Sequence, residues 1–173
     1  MDETIWYQGK PAGQIRAEQD GLYWKLDAQC EPRGSGILRI YGADRFRSEP
    51  FGVPVPGDGG LVLHRRLSRH ACPHLPEHWL LGREAEGFRP WRGSVDGQEI
   101  ADAMICPGDT ADCTLLAVPA EPEPVPLAEY ASVMEPRRLA DRNYLVLELR
   151  NGLPLLPAPE AEQEDAESPD QSS

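Results

Sequence analysis

The chain has 173 residues, enough for one domain of ordinary size with a core that needs neither disulfides nor a metal. With 17 basic and 29 acidic residues it carries a net charge of −12 and a pI near 4.7, which argues against nucleic acid as its main partner. The 18 prolines and 16 glycines favour many short elements joined by turns over a few long helices.

The opening MDETIWYQGK has an acidic second residue and no apolar run, so no secretory signal is expected. No stretch approaches the ~18 apolar residues of a membrane helix, and no membrane partner is expected. The expected compartment is the cytoplasm, where Cys30, Cys72, Cys106 and Cys113 would be reduced thiols.

Strand signals dominate the first half. In AGQIRAEQDGLYWKLDAQ, Asp20-Gly21 marks a hairpin. Ile15 and Ala17 share one face before it, and Leu22, Trp24, Leu26 and Ala28 share one face after it. EPRGSG is the next turn. It is followed by ILRIYG, in which Leu38 and Ile40 point one way and Ile37, Arg39 and Tyr41 the other. FGVPVPGDGGLVLHRRL gives a strand, a glycine-rich turn and a further strand. Pro54 and Pro56 lack the amide hydrogen a ladder needs, which predicts an edge.

Farther on, EHWLLG and GFRPW are short apolar pieces, and SVDGQEIADAMI holds a second Asp-Gly pair. CTLLAVPA reads as a strand and AEPEPVP as a stiff proline-rich connector. PLAEYASVM, residues 126–134, is the best helix candidate, with Leu127, Tyr130, Ala131 and Met134 at helical spacing. NYLVLELRNG is a final strand closed by Asn151-Gly152, and no internal repeat stands out. From Pro157 on, the chain has no aromatic or large aliphatic residue and only negative charges, which predicts a disordered acidic tail.

The expected architecture is therefore all-β: a mainly antiparallel sandwich or partly open barrel over residues 1–156, with one short helix near the C-terminal end and an acidic tail over 157–173.

Three groups of residues carry candidate chemistry. The stretch HRRLSRHACPHLPEHW holds all four histidines, His64, His70, His74 and His78. His70, Cys72 and His74 at i, i+2, i+4 would share one face of an extended strand and could ligate zinc, with Cys106 or Cys113 completing a tetrahedron. Pro73 and Pro76 exclude a helix there, and the favoured expectation is a proline-kinked surface loop with solvated histidines. Trp79 and Trp91, flanked by polar or proline-rich sequence, are candidates for a partly exposed ligand platform, for example for a carbohydrate, whereas Trp24 alternates with Leu22 and Leu26 like a core residue. Residues 33–92 carry a local excess of +4, in which Arg45, Arg47, Arg65, Arg66 and Arg69 could form a basic patch that the acidic tail covers.

No nucleophile elbow, phosphate-cradling glycine loop or HExxH occurs, so no catalytic residue is assigned. The expectation is a non-catalytic interaction or accessory domain with a protein partner and no resident cofactor. Zinc binding and carbohydrate binding stand as alternatives.

Overall fold

The computed structural model describes residues 2–33, 36–121 and 123–156. The predicted acidic tail lies outside them. Eight strands come from the first half: β1 (Asp2–Tyr7), β2 (Lys10–Asp20), β3 (Tyr23–Cys30), β4 (Arg39–Asp44), β5 (Arg47–Gly52), β6 (Val55–Gly57), β7 (Gly60–Ser68) and β8 (His78–Gly82). They form one curled sheet in the order β5-β4-β8-β1-β2-β3-β7-β6, antiparallel throughout except where β1 runs parallel to β8. The second sheet is built from β9 (Arg89–Val95), β10 (Gln98–Pro107), β11 (Cys113–Pro119), β12 (Glu135–Leu139) and β13 (Arg142–Arg150), in the order β12-β13-β11-β10-β9. A two-residue strand, β14 (Leu153–Pro154), pairs with the end of β13. The mainly antiparallel sandwich or half-barrel expected from the sequence is the fold observed.

The hairpins follow from turn chemistry. At Gln8-Gly9, Glu86-Gly87, Asp96-Gly97 and Asn151-Gly152 both central residues have positive φ, the backbone a two-residue hairpin needs to match strand twist. The Asp20-Gly21 signal is displaced by one residue. Asp20 pairs with Tyr23, so Gly21 and Leu22 form the turn and Leu22 stands 78% exposed instead of continuing the inward face.

The short helix at 126–134 is instead a 3₁₀ turn over Ala128–Val133. Leu127 sits in the left-handed region at φ 59° with its side chain buried, and Tyr130 has non-helical angles. Burial of Leu127 and Met134 in the core of the second sheet, between Pro126 and Pro136, overrides the helical spacing.

An internal repeat is present that the sequence does not reveal. β1-β2-β3-β7-β6 and β9-β10-β11-β13-β12 have the same topology: a three-strand meander followed by a hairpin whose second strand pairs with the third meander strand. Register agrees as well. Ala17 stands opposite Leu26 and Leu26 opposite Arg65, as Ile105 stands opposite Leu116 and Leu116 opposite Leu147. Counted from their turns, β2 and β10 bury corresponding positions: Ala12, Ile15 and Ala17 in one, Ile100, Ala103 and Ile105 in the other. Of the positions so matched, Leu26 and Leu116 are identical, the β2 and β10 pairs share only apolar character, and Arg65 answers to Leu147, so the repeat is carried by geometry more than by residue identity.

Each repeat fills its concave face with its own connector. In the first, Leu38, Ile40 and Phe51 from the segment between β3 and β6 join the core; in the second, Val125, Leu127 and Met134 from the segment between β11 and β12 do so. The first repeat alone contains the β4–β5 hairpin, and β8 follows it. Ala43 and Leu80, on the outward face of β4 and β8, belong to the same core as Trp91, Leu116 and Leu147 and so lock the two repeats together.

Prolines stand along all four sheet edges: Pro50 on β5, Pro56 on β6, Pro90 on β9 and Pro136 on β12. Each removes a backbone donor that an incoming strand would need. The single edge strand predicted at FGVPVP is divided: Phe51 and Gly52 end β5, and Val55 and Pro56 open β6, the two outer strands of the eight-stranded sheet.

Candidate functional site

The edges β5 and β9 meet where the two repeats join, and side chains do what a ladder cannot. The Ser48 hydroxyl donates to the Pro90 carbonyl at 2.6 Å, Arg89 Nη1 donates to the Ser48 carbonyl at 2.9 Å, and Trp91 Nε1 donates to the Asp44 carbonyl at 2.8 Å. These bonds fix the β4–β5 turn over the second sheet. Phe46, at positive φ in that turn, stacks on Trp91 with ring centroids 5.8 Å apart and planes 15° from parallel. Its ring edge is held by Gly152, where any Cβ would come within 2.5 Å of Phe46 Cε2.

Around this aromatic pair opens a cleft of about 520 Å³, formed by the β4–β5, β9–β10 and β13–β14 turns together with Glu77. Asp44 Oδ1 accepts from the Glu77 main-chain amide at 3.0 Å, and Asp96 Oδ2 accepts from the Tyr130 hydroxyl. Arg45 lies over the Phe46 ring and Arg92 over the Trp6 ring, the latter 3.9 Å from the centroid. The Glu77 carboxylate, the Ser94 hydroxyl and the Asn151 side-chain amide line the same cleft. None of the three makes a hydrogen bond among the described residues. Asp44, Glu77, Asp96, Arg45, Ser94 and Asn151 thus line one space with donors and acceptors interleaved, while the Arg92 guanidinium lies on Trp6 and donates to the Ala101 carbonyl at 3.5 Å, away from it.

The sequence candidates are placed as follows. Trp79 and Trp91 are core residues, 2% and 1% exposed, which corrects the expectation that they stand partly in solvent. Trp79 packs edge-on against Phe51 inside the first repeat; Trp91 forms the floor of the cleft but is screened by Phe46. Trp79 lies on β8, between β4 and β1, and Trp91 on the edge strand β9 with its side chain on the core face; their immediate neighbours His78, Pro90 and Arg92 are strand residues whose side chains take the opposite face.

The histidine stretch is a strap over the open end of the first repeat. Trp24 Nε1 donates to the Cys72 carbonyl at 2.9 Å, and Cys72 and Leu75 pack on the core beneath. Pro76 presses on Gly42, where a Cβ would meet its Cγ at 2.2 Å. His70 and His74 are exposed, and the Cys72 thiol donates to the His74 carbonyl at 3.4 Å. Burial and Asp44 push that thiol's pKa above its ordinary value, away from the thiolate a metal needs. Among the described residues no three His, Cys, Asp or Glu side chains converge in ligating geometry. His64 is apart from the strap, on β7, with Nδ1 2.6 Å from Asp27 Oδ1.

The five arginines each have partners of their own. Arg45 and Arg47 flank the β4–β5 turn, on Phe46 and Glu49 respectively. Arg65 reaches the Phe51 carbonyl, Arg66 covers the Tyr23 ring and pairs with Asp20, and Arg69 covers Trp24 and donates to the Gly21 carbonyl. Each is held by local partners, and Arg65 of β7 reaches across to β5, the strand that carries Arg47.

Sequence reasoning missed the cleft itself. Asp44, Glu77, Ser94 and Asn151 are far apart in the chain, and the only local signals are the turn pairs Asp96-Gly97 and Asn151-Gly152 that build its walls. Comparison with protein-family models, curated proteins and solved structures finds no match to this chain.

Proposed function

We propose that this protein is a non-catalytic binding module of the cytoplasm, which takes a polyhydroxylated ligand of the carbohydrate class in the cleft between Asp44 and Asn151. The observation that carries it is a cleft of about 520 Å³ lined by the exposed residues Glu77, Ser94 and Asn151, whose side chains make no hydrogen bond among the described residues and are free to bind a ligand. That volume lies within the range of small-ligand sites. A sugar offers hydroxyls that both donate and accept, and this suits interleaved carboxylates, amide and hydroxyl better than a ligand of one charge. The chemistry of the lining is that of holding. Asp44 and Asp96 are each fixed by a hydrogen bond, and Arg45 and Arg92 are each laid on an aromatic ring. The compartment is supported by the four cysteines, all free thiols.

The test is titration of a panel of mono- and oligosaccharides while tryptophan emission is followed, since Trp91 lies under the cleft. A saturable change in the intact protein, weakened by Ser94→Ala and by Asn151→Ala at unchanged melting temperature, is expected. No response to any saccharide overturns the assignment and leaves a protein partner as the ligand to seek.

A further inference from the structure

We infer that Asp44 is the positioning residue of the saccharide cleft, a role that rests on the cleft being a binding site. It ties the end of the strap to the floor supplied by the second repeat, and so sets where the Glu77 carboxylate stands.

Strands β4 and β8 pair in antiparallel register from Arg39 with Gly82 to Ala43 with His78. Asp44 and Glu77 would be the next pair, but the ladder stops before them. The Asp44 carbonyl accepts from Trp91 Nε1 of the second sheet at 2.8 Å. The Asp44 carboxylate takes up the missing strand partner, its Oδ1 accepting from the Glu77 amide at 3.0 Å. One residue thus holds both repeats, with its main chain on one side and its side chain on the other.

The strap has little else to fix it near this end. Pro73 and Pro76 have no amide hydrogen to give. Among the described residues, the bond from the Glu77 amide is the only hydrogen bond between residues 73–77 and the rest of the protein outside the strap. Contact of Pro76 with Gly42 limits how closely the strap approaches β4, and the bond to Asp44 sets the direction in which it leaves. The Glu77 side chain is exposed and makes no hydrogen bond of its own, so it takes its place from this main chain. It shares the cleft with Ser94 and Asn151, and a main chain fixed in advance lowers the cost of gathering the three on one ligand. Asparagine keeps the Oδ1 acceptor and the shape of the side chain but not the charge. Positioning by Asp44 and direct contact of its carboxylate with a ligand therefore give different results on substitution.

The experiment compares Asp44→Ala and Asp44→Asn with the parent in the full chain. The first readout is NMR of the strap amides without ligand; the second is titration with a saccharide panel that includes glucose, galactose, maltose and cellobiose, followed by tryptophan emission. In Asp44→Ala the Glu77 amide should move to the position of a solvated amide, together with those of His74 and Leu75, and Asp44→Asn should restore the parent positions. Both variants should keep the fold and melt within roughly 2–4 °C of the parent, the effect of one exposed hydrogen bond. A saccharide that binds the parent should bind Asp44→Ala about tenfold more weakly, and Asp44→Asn should recover most of that affinity. An unmoved Glu77 amide in Asp44→Ala overturns the inference. So does a saccharide affinity as low in Asp44→Asn as in Asp44→Ala, which would make the carboxylate a ligand contact. If no saccharide binds the parent, the reading of the cleft fails by itself, and the Glu77 amide still decides the role of Asp44 in the same two directions.

Discussion

Leu80→Ala tests whether the two repeats share one core. Leu80 is on β8 of the eight-stranded sheet, yet its buried side chain belongs to the cluster that contains Trp91, Leu116 and Leu147 of the second sheet. Truncation leaves a cavity whose walls are two different sheets, so closing it would require the sheets themselves to approach. Buried Leu→Ala changes cost ~2–5 kcal/mol, the upper part of the range applying where the site cannot collapse. A mid-range loss of about 3 kcal/mol lowers the melting temperature of a chain this size by roughly 6–12 °C. Calorimetry should show one transition at the lower temperature. Amide exchange should accelerate together at Leu26, in the middle of the first repeat, and at Leu116, its counterpart in the second. A loss below about 1 kcal/mol, or faster exchange at Leu116 with Leu26 unchanged, would refute the shared core and make the repeats two separately folding units.

Burial pushes the Cys30 thiol up to about 11 from its ordinary value of 9.0. The folded state therefore holds this proton more tightly than the unfolded chain, so stability is complete below pH 9 and falls as pH rises toward 11. The expected contribution is about 2–3 kcal/mol, read as the difference in alkaline denaturation between the parent and Cys30→Ala, and parallel curves for the two would contradict it. Cys72→Ser should change stability by less than ~1 kcal/mol and leave metal content unchanged in protein purified without a histidine tag, because the thiol's one bond, to the His74 carbonyl, can be made by a hydroxyl. A zinc-dependent loss of several degrees would instead make His70, Cys72 and His74 ligands.

The strands were legible because their signals are local. Alternation in QIRA and WKLDA, the Asp96-Gly97 and Asn151-Gly152 pairs, and the edge prolines each act within a few residues through side-chain direction, allowed φ or a missing amide hydrogen. The helix at 126–134 failed because its apolar spacing fitted a helix while the space it fills, against Trp91 and Leu147, requires Leu127 at positive φ. Trp79 and Trp91 misled for a related reason. Their flanking polar residues face away on the same strands, and which face is buried depends on what packs there, not on the strand.

What the sequence by itself determined was the class of fold, the positions of most strands and turns, and one of the four sheet edges. These follow from backbone sterics and from a periodicity of two, both of which act along the chain. What only the tertiary structure decided was the repeat, the strap and the cleft. The repeat is held by register and burial, which many residue pairs satisfy, such as Ala17 with Leu26 or Ile105 with Leu116. The strap takes its role from the open end of the sheet beneath it. The cleft exists because proline-bearing edges cannot join by a ladder. Between β5 and β9, Ser48, Arg89 and Trp91 make the junction with side chains, and the space left around it gathers polar groups from turns up to about a hundred residues apart.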